Sequence, residues 1–320
     1  MECSDGSNGG GAASNASALR WKILRRALLR GTSSNSDKIS EVGLKRVSRK
    51  ATLGFNLIPF QVMDGHSEEN SDVQRDVCFC YTLPIQNSPT ILQYQRVESR
   101  ADLNDFEVCK RYNIDNTGIV CQWPSEDVLA YYCLLHANMF RHKRVIELGS
   151  GYGLAGLVIA LATEALEVVI TDGNPQVVDY IQRSIDANSG AFRASKVKSR
   201  VLHWNHEKAI DFSNRFDIIV ASDCTFFKEF HKDLAQTIRF LLSKVGPSEA
   251  ILLSPKRGDT LEKFLLEIED SGLQHNITEI YDSEVWSRHQ NFANGDDSWA
   301  NYEKDHCYPL LVRITWTQDD

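Results

Sequence analysis

From residue 143 to residue 316 the chain alternates short β-branched runs with longer amphipathic ones, and that alternation permits few architectures. Strands are expected at residues 144–148, 167–171, 197–203, 216–221, 250–254, 275–281 and 310–316. Helices are expected at 154–162, 174–188, 230–242 and 261–271, with Pro175 suited to the first turn of the second. Strands separated by helices of this length form a parallel sheet covered on both faces, so the fold class is α/β, a doubly wound, seven-strand, mostly parallel, Rossmann-like sheet. No long helix is read between the last two strands, so one of them is expected to run antiparallel.

The part before residue 120 reads differently. Residues 1–18 (MECSDGSNGGGAASNASA) are rich in Gly, Ser, Ala and Asn and are expected to be disordered. Residues 19–30 (LRWKILRRALLR) place Leu19, Ile23, Leu24, Ala27 and Leu28 on one helical stripe, with Arg and Lys on the other faces and Gly31 closing the pattern. Such a basic amphipathic helix can pack on the body, act as a transit peptide, or dock on an acidic protein surface in the manner of calmodulin targets. Glu2 and Asp5 argue against the transit peptide, and packing is the simplest account. Residues 55–63 and 77–83 are β-prone runs separated by polar stretches. The chain therefore divides into a disordered start (1–18), an N-terminal region with the basic helix and short strands (19–120), and the α/β domain (121–320). That domain opens at Trp123-Pro124-Ser125-Glu126 with a helix whose Val128, Leu129, Tyr132, Leu135 and Met139 recur at intervals of three and four.

Charge narrows the classes of partner. The net charge is −8, made of +6 in residues 1–50 and −14 in the remaining 270. A body this acidic argues against nucleic acid as a partner, because phosphate contacts depend on Lys and Arg. The longest apolar run, residues 154–162, is far short of the roughly 18–20 residues a membrane span requires, and no apolar leader follows the start. Eight cysteines form no CxxC pair, and Cys78-x-Cys80 has no second half at zinc spacing, so no metal is expected. Reduced thiols suit a cytoplasmic or nuclear location. Monomer is the default expectation.

The chemistry concentrates at the end of the first strand of the α/β unit, in Glu147-Leu148-Gly149-Ser150-Gly151-Tyr152-Gly153-Leu154-Ala155-Gly156. Ligands of open α/β sheets bind beyond the carboxyl ends of the strands. Glycines let the backbone come close to a ligand, and the amino end of the next helix is expected to offer N–H groups to an anion. Asp172 ends the second strand, where an acid can accept both hydroxyls of a ribose. Gly151-x-Gly153-x-x-Gly156 satisfies the dinucleotide fingerprint, so a nicotinamide-dependent oxidoreductase is one reading. Glu147 at the strand end repels a pyrophosphate and suits a cationic ligand, which favours S-adenosylmethionine over NAD.

Together with Trp204 after the third strand and Ser222-Asp223-Cys224-Thr225-Phe226 after the fourth, this motif resembles the seven-strand class I methyltransferases. It is similar in particular to the branch that methylates protein lysines and carries an Asp-x-x-Tyr/Phe signature. Further matching stretches are residues 20–24 (RWKIL), 115–133 (DNTGIVCQWPSEDVLAYYC), 171–174 (TDGN), 255–261 (PKRGDTL) and 308–311 (YPLL), spread over nearly the whole chain. Within the branch they closely resemble the enzymes acting on calmodulin, which implies S-adenosylmethionine as cofactor and calmodulin as protein substrate. The resemblance implies that Trp123 flanks the cofactor, that Gly149, Gly151 and Gly153 line its amino-acid part, and that Asp172 takes its ribose. It implies Trp204 beside the adenine, Ser222 beside the cofactor, and Asp223 and Phe226 at the mouth of a lysine channel. Many relatives carry Tyr where this chain has Phe226, so no catalytic phenol is expected there. A non-catalytic calmodulin-binding module is the rival from another class.

Each residue also has a plainer explanation. Trp123 and Trp204 could be core aromatics, Asp172 a helix cap, and Phe226 a plug at the sheet end. Asp223 directly follows a buried run, so it must face a cleft or be paired; the expected role is to hold the incoming ammonium. Two candidate docking surfaces for an acidic substrate stand out, the basic residues 20–30 and the polar insertion 283–306, whose alternative is a solvated loop.

Overall fold

A computed structural model describes residues 54–63, 76–96, 107–108, 111–112, 114, 117–120, 123–192, 195–204, 212–299 and 302–317. The disorder expected for residues 1–18 and the basic helix expected at 19–30 lie outside the described residues.

Seven strands form the main sheet: β4 (Arg144–Leu148), β5 (Glu167–Asp172), β6 (Lys196–Val201), β7 (Ile218–Ser222), β8 (Glu249–Pro255), β9 (Leu273–Thr278) and β10 (Pro309–Trp316). Their order is β6-β5-β4-β7-β8-β10-β9. All neighbours from β6 to β8 pair in parallel, and β10 runs antiparallel to both β8 and β9. Alternation explains how the central strands serve two cores at once. Val145, Val168 and Ile170 enter the cluster on one face, while Ile146, Leu148 and Val169 enter the cluster on the other.

The helices are α1 (Pro124–Leu135), α2 (Leu154–Ala162), α3 (Pro175–Asn188), α4 (His231–Leu241), α5 (Thr260–Asp270) and α6 (Ser283–Ala293). In α2 every residue but the last is buried, as its all-apolar sequence requires. Asn174 caps α3 by accepting a hydrogen bond from the Gln176 N–H, and Pro175 takes the first turn as expected. Leu135, read as part of the buried face of α1, is 48% exposed; it ends the helix, and Met139 belongs to the following single turn. Among the described residues no helix is long and apolar enough to cross a membrane.

Ahead of this domain, β1 (Phe60–Met63), β2 (Asp76–Thr82) and β3 (Thr90–Arg96) form an antiparallel sheet in that order. The free edge of β3 is occupied by α3 side chains: the Leu92 N–H donates to Asn188 Oδ1 at 3.0 Å and the Tyr94 N–H to Ser184 Oγ at 2.9 Å. Residues 55–58, read as part of a strand, are not in one. Phe55, Leu57 and Ile58 are buried nonetheless, and Asp127 of α1 accepts from the Leu57 and Ile58 N–H groups at 2.9 and 3.3 Å.

The insertion at 283–306 is the main departure. Its first half is α6, capped by Asp282, which accepts from the Val285 N–H at 2.9 Å, so a long helix does separate β9 from β10. Trp299 is 6% exposed, and its ring meets Phe55 at 5.9 Å, Phe292 at 5.2 Å and Tyr302 at 5.0 Å. The polar residues hide an apolar stripe of Val285, His289 and Phe292 at helical spacing, which packs against Phe55 and Tyr308.

Candidate active site

The turn after β4 is held by left-handed glycines. Gly149 has φ +57°, and a Cβ there would stand 2.8 Å from Cys224 Sγ and 3.1 Å from Trp204 Cζ2. Only glycine brings the backbone this close to the indole. Gly153 has φ +77° and faces Ile170, 2.8 Å from where its Cβ would lie; it fits α2 against β5. Above the turn, at the carboxyl ends of β4, β5 and β7, lies a cavity of about 180 Å³. Trp123, Gly149, Gly151, Asp172, Trp204, Ser222, Asp223 and Phe226 line it. The structure thus brings together eight of the ten residues singled out in the sequence.

Glu147 and Gly153 are not among the lining residues. Glu147 is 1% exposed, and its Oε2 accepts from the Gly156 N–H at 2.8 Å. Burial pushes this carboxyl well above the usual range, and the nearby Glu126 charge adds to the effect. Glu126, in the first turn of α1, lines the cavity in its place and accepts from the Leu154 N–H at 3.0 Å. Burial raises Glu126 to about 7; Asp127 and Asp172 reinforce the rise while the bond from Leu154 opposes it. Two N–H groups at the amino end of α2, expected to face a ligand, are therefore taken by the chain's own carboxyls, which suits the helix dipole. The signal for Glu126 was its place one helical turn from Trp123, on a helix with almost no exposed face.

Asp172 lines the cavity and is not the cap of α3. Its Oδ2 accepts from the Gly151 N–H at 3.0 Å and its Oδ1 from the Asn174 N–H at 2.8 Å, while the cap of α3 is Asn174 itself. The Leu202 N–H bonds the Asp172 carbonyl at 3.0 Å, ending β6 so that His203 and Trp204 turn into the cavity. Trp204 meets Phe230 edge-on at 6.1 Å, and His203 stacks on Tyr112 at 5.3 Å.

At the other end, Asp223 has φ +56°, and its N–H donates to the Leu253 carbonyl at 2.9 Å. Its carboxylate is paired: both oxygens bond the two terminal nitrogens of Arg257, one at 2.6 Å. The two side chains are 2% and 6% exposed. The guanidinium carbon lies 5.2 Å from the ring centres of both Trp123 and Phe226, which are 6.3 Å apart. Asp223 therefore stands in the cavity wall as one half of an ion pair with Arg257 and not as a lone acid. Arg257 stood within the PKRGDTL stretch, but nothing in the sequence paired it with a residue 34 positions away. Among the described residues no group of three or more His, Cys, Asp or Glu side chains could hold a metal.

Counted from β4, the strands are ordered 3-2-1-4-5-7-6 with the seventh antiparallel; a glycine turn follows the first and an acid ends the second. That is the fold of a class I methyltransferase, and the paired aromatic and acidic groups sit where such enzymes bind their ligands. Residues 111–271 match the family described as lysine methyltransferase, and the chain belongs to it. It is 62% identical over 302 residues to the calmodulin-lysine N-methyltransferase of Arabidopsis thaliana, covering 94% of this chain and 97% of that one. It is 29% identical over 163 residues to protein N-lysine methyltransferase METTL21A of Danio rerio, covering 51% and 71%. Among solved structures, a ribosomal protein L11 methylase of Lactobacillus delbrueckii subsp. bulgaricus aligns at TM-score 0.42 and 15% identity, covering 62% and 81%.

Proposed function

We propose that this protein-lysine methyltransferase takes its methyl group from S-adenosylmethionine and delivers it to a lysine ε-amine of calmodulin. The observation that carries the reading is the near full-length identity to a relative named for that reaction, joined to a cavity of matching chemistry. The residues fit the donor. Asp172, a carboxylate in the cavity lining at the end of β5, is the group placed to accept from ribose hydroxyls. Trp204, packed against Gly149, would cover the adenine, and Ser222 and the glycine turn would hold the amino-acid end. Glu126 is the carboxyl placed to face a cationic ligand, and a cation beside it favours its ionised form.

When bound, S-adenosylmethionine supplies a methyl group on a sulfonium, open to attack by a neutral amine. The chain's task is to deliver that amine. A lysine titrates near 10.4 in water, and the aromatic walls Trp123 and Phe226 lower that value by excluding water from the channel. Holding the nitrogen in line is the larger part of the catalysis.

Calmodulin is an acidic protein, and the surface offers a complement to it. Lys196, Lys198 and Arg200 stand exposed in alternate positions along the edge strand β6, which leads to His203 and Trp204 at the cavity. Glu167 offsets part of this charge, pairing with Arg215 at 2.6 Å and Lys198 at 3.5 Å. Incubation with calmodulin and methyl-labelled donor tests the proposal: label is expected in calmodulin, and unlabelled calmodulin with intact donor binding would defeat the substrate assignment.

A further inference from the structure

The ion pair at the Phe226 end of the cavity has a consequence for the substrate. A buried carboxylate next to the site of attack is a hazard for an enzyme that needs a free amine, because an anion stabilises the ammonium and holds its proton on. Here the anion is cancelled. Arg257 meets Asp223 through two parallel hydrogen bonds, the geometry in which guanidinium and carboxylate bind most strongly. The guanidinium also lies against the faces of Trp123 and Phe226, the two aromatic walls of the channel. Its backbone is fixed as well: φ is +43°, and the Arg257 N–H donates to the Asp305 carbonyl at 2.7 Å, so the side chain is anchored from the segment ahead of β10.

Resting on the lysine-methylation reading above, we propose that Arg257 is a positioning residue of the reaction. It neutralises Asp223 and packs against both Trp123 and Phe226, so that the wall of the channel carries no uncompensated anion and the substrate lysine enters as the free amine. The ammonium proton passes to bulk water before entry; the nitrogen lone pair then forms the new N–CH3 bond as the S–CH3 bond breaks. Lysine would not serve equally in this position, since it lacks the planar fork that engages both oxygens while lying against two rings.

The other ionisable groups around the pair are few. Glu126 on α1, Asp172 on β5, His203 after β6, Asp233 on α4, and Cys224 and Tyr112 line the cavity. Cys307, in the turn Lys304–Cys307, faces the pair; burial raises its thiol, with Arg257 and Asp223 acting in opposite directions. Lys256 is turned to Glu262 at 3.4 Å. Glu126 titrates in every variant alike, so comparison between variants isolates the contribution of Arg257.

The test is the pH profile of kcat/KM for calmodulin at saturating donor, in the wild type, Arg257→Lys, Arg257→Gln and the double variant D223N/R257Q. Activity rises with pH as the lysine loses its proton. Arg257→Gln unmasks Asp223, and its rising limb is expected about one pH unit or more to the alkaline side, which is about a tenfold loss at pH 8 recovered at higher pH. Arg257→Lys, which keeps the cation, is expected to keep the limb near its wild-type position. The double variant buries no charge, so its limb is expected near the wild-type position; a limb displaced as far as that of Arg257→Gln would assign the shift to lost packing and not to the unmasked Asp223. A limb at the wild-type pH in Arg257→Gln, or an equal displacement in the double variant, would overturn the proposal, whatever the loss of rate. Binding of n-butylamine to the S-adenosylhomocysteine complex, followed by NMR from pH 7 to 9, separates this from the substrate assignment. Wild-type affinity is expected to rise about tenfold per pH unit, the free amine being the bound species, and to flatten in Arg257→Gln. Flat wild-type binding refutes the role of Arg257, while the expected slope with unmethylated calmodulin refutes only calmodulin as substrate.

Discussion

Glu126 is the residue whose replacement should reveal most about how the cavity is built. It is 5% exposed, accepts one backbone bond from α2, and has its carboxyl raised from 4.5 to about 7, chiefly by burial. A carboxyl that is harder to ionise in the folded chain than in the unfolded one favours folding only while both forms are protonated. Its contribution is complete below about pH 4.5 and is lost as the pH climbs through about 7. At about 1.4 kcal/mol per pH unit, that rise corresponds to about 3 kcal/mol of stability lost by pH 8. Glu126→Gln keeps an oxygen to accept from Leu154 and removes the ionisation. The variant is expected to resemble wild type near pH 4.5 and to exceed it by up to about 3 kcal/mol at pH 8, while binding the cationic donor more weakly. Urea unfolding at pH 5 and pH 8, followed by circular dichroism, measures both gaps, and calorimetry measures donor affinity. A gap equal at the two pH values would refute the reasoning, because a packing effect does not titrate.

The other predictions concern the donor, the docking face and the core. Asp172→Asn puts an amide where two backbone N–H groups need an acceptor and removes the charge offered to the ribose; donor affinity measured by calorimetry is expected to fall at least about tenfold, corresponding to about 1.4 kcal/mol. An unchanged dissociation constant would exclude Asp172 from the donor site. The double substitution Lys196→Glu, Lys198→Glu is expected to raise KM for calmodulin at low salt and to approach wild type at high salt, with kcat preserved. Equal KM values at low salt would remove β6 from docking. Trp299→Ala is expected to cost about 3–5 kcal/mol in denaturant unfolding, whereas a change below about 1 kcal/mol would favour a solvated loop, the alternative reading of the insertion.

Much of the α/β domain was legible because its signals are local. The run Leu154–Ala162 is apolar throughout and can only be a buried helix, and Asn174-Pro175 marks the start of α3 by capping chemistry alone. The glycine turn and Asp172 were marked by their places at strand ends, while Trp123, Trp204, Ser222, Asp223 and Phe226 were singled out by the resemblance; the fold gathers them at one edge of the sheet. What escaped depends on contacts distant in sequence. Glu147 reads as the acid at the cleft, and only the packing of α1 on α2 shows it bonded to Gly156 while Glu126, bonded to Leu154, lines the cavity. The partner of Asp223 lies beyond β8, so spacing could establish that the acid needed a partner without identifying Arg257. The strand β3 and the aromatic cluster around Trp299 escaped for a related reason: Thr, Gln and Arg in one and Ser, Asn and Asp in the other mask their apolar residues until neighbours from the N-terminal region cover them.

The central claim is that the cavity beyond β4, β5 and β7 serves methyl transfer to a calmodulin lysine. Intact-mass spectrometry of unmethylated calmodulin, incubated with S-adenosylmethionine and the wild-type protein or Asp172→Asn, tests it most directly. The account predicts growth in steps of one methyl group with the wild type and a severe loss of that growth with the variant. Calmodulin of unaltered mass after exposure to a wild-type protein that binds the donor, or equal growth with both proteins, would contradict it.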